Sequence, residues 1–310
     1  MATAAAVRAA PLPIDHSYTP QTAITHLSSD ASLERIVAIL DRDGGVIIDD
    51  FVTLAELEQI KHDVAQYEEE TRAMRNDAVS IIPKETILTP SIVGKSATVA
   101  AICESPLLTG LREEILSEKF TVYREGYEDQ RSIDPLLSIS VGFNIGPGAP
   151  RQYLHRDDNI HGTRHERFDI RNVTQFACLI AGCETNRQNG ATMFVPGSHR
   201  WDDKRQPRID EITFAEMKPG SALIFLGGSY HGGGHNATDA FRTVYGLFFI
   251  RGTLRQEENQ FLAVPHSKVL AMTEGMQSLL GYKQPKSVLG IVDNKDPMSD
   301  LPAVLKRVAL

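Results

Sequence analysis

YLHRDD, residues 153–158, is the stretch on which the fold and chemistry of this chain turn. As a β-strand it would alternate its side chains from face to face, sending His155 and Asp157 to one side and Arg156 and Asp158 to the other. An imidazole nitrogen and a carboxylate oxygen then converge on one point. With a second imidazole from elsewhere they form the facial set of two histidines and one carboxylate that holds non-haem Fe(II) and leaves positions open.

The surrounding chain has the grammar of strands. Residues 121–127, 136–144, 153–157, 173–181, 192–195, 221–226 and 241–250 are short β-rich runs separated by Gly, Pro and Asn turns. Few helical crossovers lie between them, so an antiparallel barrel or jelly roll is expected, not a parallel α/β sheet. Upstream, residues 32–43 place Leu33, Ile36, Val37 and Leu40 at the spacing of an amphipathic helix that Gly44 and Gly45 stop. Val46 to Ile48 reads as a buried strand, and Thr53 caps a second helix through about Glu69. Residues 71–90 show little periodicity and are expected to be loop, whereas 106–120 and 256–280 are expected to be helical. Gly94-Lys95-Ser96 is no phosphate loop, because that motif needs a glycine where Thr89 stands.

Two histidines compete for the third metal position, His231 and His235 in SYHGGGHNAT. His231 follows the apolar run 222–226, which delivers it inward, while His235 sits beyond three glycines in a turn; His231 is therefore favoured. Gly232 to Gly234 would allow a backbone closed to other residues. Arg242, in FRTVYGLFFI, shares the strand face of Val244, Gly246 and Phe248, which looks like a core face. An arginine there needs an anion, either an internal Asp or Glu or a bound dicarboxylate that its bidentate fork would suit.

The bulk composition narrows the partners. A chain of 310 residues, 42% hydrophobic and 23% charged, has the make-up of a globular protein with a sizeable core. Its net charge of −8 argues against nucleic acid or an anionic membrane surface as the main partner. Cys103, Cys178 and Cys183 lack CxxC spacing, so reduced thiols and a cytoplasmic location are expected. No stretch approaches the ~18 apolar residues of a membrane helix. Residues 1–30 are expected to be a flexible arm, and 31–310 a single domain.

Three motifs in order carry a resemblance: QYLHRDD from Gln152, NGATMFVPGSHRW from Asn189, and HGGGHNAT from His231 followed by Arg242. With them the chain resembles the phytanoyl-CoA dioxygenase-like family of Fe(II)- and 2-oxoglutarate-dependent oxygenases, in its fungal natural-product branch. The resemblance implies a mainly β fold with flanking helices around a double-stranded β-helix, the cupin-like jelly roll. It further implies His155, Asp157 and His231 as iron ligands, and Gln152, Thr192 and Arg242 as holders of 2-oxoglutarate, with dioxygen as the second cosubstrate. Gln152 fits the strand geometry poorly, since three residues before His155 falls on the opposite face; a bend after Pro150 must intervene. The implied substrate is a hydrophobic polycyclic metabolite, a meroterpenoid or alkaloid, and the implied assembly a homodimer, with residues 71–90 and those after Val264 near the pocket. His199 is expected to be a turn residue and Trp201 a packing residue.

Two departures from the family pattern are local: Ser221 follows Pro219-Gly220 where aspartate is usual, and Cys183 stands in place of threonine. The rivals to an iron oxygenase acting on a metabolite are an acyl-CoA hydroxylase of the same family, a non-catalytic metal-binding β-barrel and a zinc hydrolase.

Overall fold

The computed structural model describes residues 10–74, 82–299 and 301. Its centre is a seven-stranded sheet in the order β1-β2-β10-β7-β12-β6-β3. These strands are β1 (His26–Ser28), β2 (Gly45–Asp49), β3 (Thr86–Pro90), β6 (Leu136–Ile145), β7 (Gln175–Ala181), β10 (Ala222–Leu226) and β12 (Arg242–Ile250). Only β1 and β2 run parallel; the other neighbours are antiparallel. A second sheet, β11-β8-β9, is built from His231–Gly232, Met193–Phe194 and Thr213–Phe214. Two facing sheets with helices on one outer side make a double-stranded β-helix.

Alternation along the central strands explains both sides of the large sheet. Phe176, Cys178 and Ile180 of β7 and Tyr245, Leu247 and Phe249 of β12 pack outward in one core with the helices. Ala177, Leu179 and Ala181, with Val244 and Phe248, point inward to a second core that includes Phe194 of the small sheet. Phe194 meets Phe225 of β10 edge to face, ring centroids 6.2 Å apart. A one-residue slip of β12 would exchange the two faces and carry Arg242 from the inward face to the outer apolar core, so the register is strongly specified.

The helices over the outer face start and stop where the sequence signals. In α1 (Leu33–Asp43) Ser32 caps the first turn, and Gly44 ends the helix at φ 78°. α2 (Leu54–Met74) opens with a capping box: Glu56 N–H donates to Thr53 Oγ1 (3.2 Å) and Thr53 N–H to Glu56 Oε2 (2.8 Å).

Several expectations are corrected. Residues 153–157 form no regular strand; His155 makes a single bridge, and Asp157–His161 is a 3-10 turn closed by Gly162 at φ 66°. Of the expected loop 71–90, the first residues continue α2, residues 75–81 lie outside the described residues, and Thr86–Pro90 pairs with β6 as an edge strand. The helix expected over 106–120 ends as a π-turn at Leu116, and the strand expected at 121–127 is a hairpin, β4 (Glu118–Arg124) and β5 (Tyr127–Ile133). The helical region 256–280 is three short helices. Of the segment 1–30 the described residues begin at 10; within it His26–Ser28 forms β1, and the backbone carbonyls of Asp15 and Tyr18 accept from Arg187.

Candidate active site

His155 and His231 face each other across one antiparallel bridge, with His155 N–H donating to His231 O (2.9 Å) and His231 N–H to His155 O (3.0 Å). Their rings lie 4.6 Å apart, and the His231 ring also rests on Phe225 at 4.3 Å. Each Nδ1 sits on a backbone carbonyl, Tyr153 O for His155 (2.8 Å) and Ser229 O for His231 (3.1 Å). A carbonyl only accepts, so both Nδ1 atoms carry the proton and both Nε2 lone pairs are left for a metal.

Asp157 completes the set. Its Oδ1 lies 3.5 Å from His155 Nε2 and 3.4 Å from His231 Nε2. Burial alone would raise its pKa, but in the metal-free site the charge that His231 and His155 carry when protonated outweighs that and holds it below the ordinary carboxylate value. Its backbone N–H is fixed by Gly227 O (2.9 Å), while its buried Oδ2 has no hydrogen-bond partner. The ligand atoms of His155, Asp157 and His231 all lie within 4.8 Å of one another, close enough to share one cation. His235 stays outside this set, its Nδ1 on Ala149 O (2.9 Å).

The three residues line a cavity of about 420 Å³ between the sheets. Gln152, Thr192 and Arg242 line the same cavity, so the structure gathers all six residues singled out in the sequence. Arg242 is 2% exposed, and its Nε donates to Asn189 O (3.0 Å). No Asp or Glu pairs with it among the described residues, which removes the internal ion pair as its explanation. Burial pushes its pKa down to about 10. A buried guanidinium bonded, among the described residues, only to a neutral carbonyl keeps donors that a carboxylate could accept from.

Gln152 reaches the cavity because the pairing slips by one residue. A regular ladder through His155 and His231 would set Tyr153 opposite Gly233, but it is Gln152 N–H that bonds Gly233 O. The glycines beside it also have another role than expected. None of Gly232 to Gly234 has positive φ. They allow close approach instead: a Cβ on Gly234 would stand 2.7 Å from Ala191 O.

Sequence reasoning missed two features. Glu257 lines the cavity from a polar stretch after β12 that carries no motif. Behind Asp157, His165 is clamped between Asp158 Oδ2 (3.1 Å) and Asp203 Oδ1 (2.7 Å), a pairing that no sequence spacing signals. Of the segments expected near the pocket, Ile82, Pro83, Thr86 and Leu88 line it; no residue after Val264 does among those described. His199 lies in a 3-10 turn, bonded to Asp41 O (2.9 Å), and Trp201 packs near Tyr230 and under Arg205.

A double-stranded β-helix with two imidazoles and a carboxylate meeting in its interior defines a cupin-like metal-centre protein of the oxygenase type. The chain belongs to the phytanoyl-CoA dioxygenase family, whose model matches residues 40–244. Dioxygenase swnH1 of Arthroderma benhamiae is 49% identical to it over 298 residues, covering 95% of this chain and 97% of that one. Dioxygenase peniF of Penicillium patulum is 31% identical, covering 86% of this chain and 87% of its own. HygX of Streptomyces hygroscopicus, solved with nickel, 2-oxoglutarate and hygromycin B bound, matches with a TM-score of 0.54 at 12% identity, covering 72% of this chain and 88% of that one, a likeness of fold.

Proposed function

We propose that this protein is an Fe(II)- and 2-oxoglutarate-dependent dioxygenase that oxidises a C–H bond of a small polycyclic secondary metabolite of the meroterpenoid or alkaloid kind. His155, Asp157 and His231 would hold the iron, and Arg242, Thr192 and Gln152 the 2-oxoglutarate. The observation that carries this is Arg242: a buried guanidinium without a carboxylate partner among the described residues, lining the same cavity as His155, Asp157 and His231. The donor set fits the metal, since two neutral imidazoles with fixed tautomers and one carboxylate suit ferrous iron and leave coordination positions free.

When bound, iron and 2-oxoglutarate supply the oxidation, in which decarboxylation of the keto acid is coupled to reduction of dioxygen. The chain supplies the geometry. The backbone bridge sets the distance between the imidazoles, Arg242 orients the keto acid, and Ile139, Val141, Phe143, Leu179, Val244 and Phe248 exclude water from the reacting centre. Which C–H these walls present decides between hydroxylation, desaturation, rearrangement and endoperoxide formation.

An acyl-CoA substrate is not favoured by the cavity. Its charged lining residues are Arg156, Asp157, Arg242 and Glu257. Of the two arginines, Arg156 turns away to bond Ser198 O and Trp201 O, leaving no basic cluster for a polyphosphate among the described residues. Cytoplasmic action fits three unpaired cysteines, and among the described residues no helix is long and apolar enough to cross a membrane. The homodimer implied by the family resemblance belongs to the same proposal and is checked by light scattering on the purified protein.

Anaerobic titration tests the assignment: Fe(II) followed by 2-oxoglutarate should produce a metal-to-ligand charge-transfer band. A protein that binds iron without that band is a metal-binding barrel or a hydrolase instead.

A further inference from the structure

Apart from Arg156, which turns away to Ser198 O and Trp201 O, Glu257 is the charged group of the cavity for which neither the metal set nor the anion clamp has a use. It follows β12 and is held by two buried neutral side chains. Its N–H donates to Ser138 Oγ (3.0 Å), and its Oε1 accepts from Ser138 Oγ (3.2 Å) and Gln175 Nε2 (3.2 Å). Oε2 has no hydrogen-bond partner among the described residues, and no lysine or arginine pairs with the carboxylate there. The side chain is exposed, and it lines the cavity. Desolvation and, in the metal-free site, the nearby Asp157 carboxylate push its pKa up to about 7.

The charges of the loaded site point to a cation. A ferrous ion and Arg242 bring three positive charges; Asp157 and 2-oxoglutarate bring three negative ones. The sum is zero before Glu257 is counted. Its carboxylate is the surplus, at the solvent-reached edge of walls that are otherwise mostly apolar, where a bound cation could meet it.

We propose that Glu257 is a specificity residue that selects a substrate carrying a protonated aliphatic amine, pairing its carboxylate with the ammonium while the apolar walls take the hydrocarbon frame. This rests on the oxygenase assignment above and narrows its substrate class to basic, alkaloid-like molecules. The pairing also fixes the distance between the amine and the metal set, and hence which C–H is presented.

The test uses the anaerobic holoenzyme with Fe(II) and 2-oxoglutarate, and two pairs of probes of matched shape: 1-adamantylamine with 1-adamantanol, and cyclohexylmethylamine with cyclohexylmethanol. Calorimetry should show at least one amine binding about tenfold tighter than its alcohol, a difference of about 1.4 kcal/mol. Glu257→Gln keeps an oxygen for Ser138 and Gln175; it should remove that preference, leave the alcohol's affinity unchanged and retain the charge-transfer band. Equal affinities within both pairs, no binding by any probe, or a preference that survives in Glu257→Gln overturns the proposal. Absence of the band in the wild-type protein is a separate result, and it strikes the oxygenase assignment itself.

Discussion

Gln152 and Gly233 hold each other by two hydrogen bonds, Gln152 N–H to Gly233 O at 2.9 Å and Gly233 N–H to Gln152 Oε1 at 2.6 Å. One bond is backbone and the other uses the side chain, which is how a residue one step out of register still closes the ladder. The clasp ties the segment that carries His155 to the one that carries His231. Gln152→Ala removes the side-chain bond, a loss of about 0.5–1.5 kcal/mol. Both the iron and the 2-oxoglutarate titrations should weaken, by up to about tenfold, with little change in melting temperature. Titrations that match wild type would show that the clasp does not position the site.

The ligand set predicts a sharp contrast among neighbouring histidines. His155→Ala and Asp157→Ala should each abolish oxygen-dependent turnover and stoichiometric iron binding, because two donors remain where three converge. His235→Ala should keep the iron, since its imidazole serves Ala149 O and not the cluster. Iron content after anaerobic loading and desalting measures this directly; a variant at His235 that loses iron while His231→Ala retains it reverses the assignment.

Arg242→Ala should leave iron binding intact and raise the 2-oxoglutarate requirement steeply. Truncating one partner of a buried, hydrogen-bonded charge pair costs about 2–5 kcal/mol, which is roughly 30-fold or more in affinity. Arg242→Lys should recover only part of this, because an ammonium cannot reproduce the bidentate fork. The concentration of 2-oxoglutarate giving half-maximal band intensity is the readout, and an unchanged value takes Arg242 out of the anion site.

His165 makes stability depend on pH in a stated direction. Burial alone lowers its pKa, but the bonds to Asp158 and Asp203 outweigh burial and raise it above the ordinary value. Its side chain is only 9% exposed and that of Asp158 6%, so solvent screens this bond little, whereas Asp203 is 50% exposed and its bond is screened more. Because the folded value is the higher one, the stabilisation is complete below the unfolded histidine value of about 6.5 and fades as pH rises through the folded value. The melting temperature of wild type minus that of His165→Gln should therefore shrink on going from acidic to alkaline buffer. A difference that stays constant or widens would mean His165 is not held as a cation.

The strands were legible because alternation is a local property. In β12 the inward face of Arg242, Val244, Gly246 and Phe248 could be read directly, since each inward residue is two along from the last. The helix α1 was equally plain from its spacing, its serine cap and its glycine stop. Elsewhere the local pattern misled. YLHRDD alternates like a strand, yet only one bridge pairs it, and the chain turns at Asp157. The edge strand Thr86–Pro90 carries little alternation of its own and exists because β6 offers it a free ladder. The hairpin at 118–133 gave too little apolar contrast to mark where helix ended and strand began.

By itself the sequence determined which residue types are present at ligand spacing and which face of each central strand is apolar, because both depend on neighbours a few residues apart. The tertiary structure alone decided the rest. It paired His155 with His231 over a separation of 76 residues (231 − 155), left Arg242 without an internal anion, and brought Glu257 of a featureless polar stretch to the wall of the cavity. Those outcomes depend on backbone hydrogen bonds and packing between distant segments, where no periodicity in the chain records the partner.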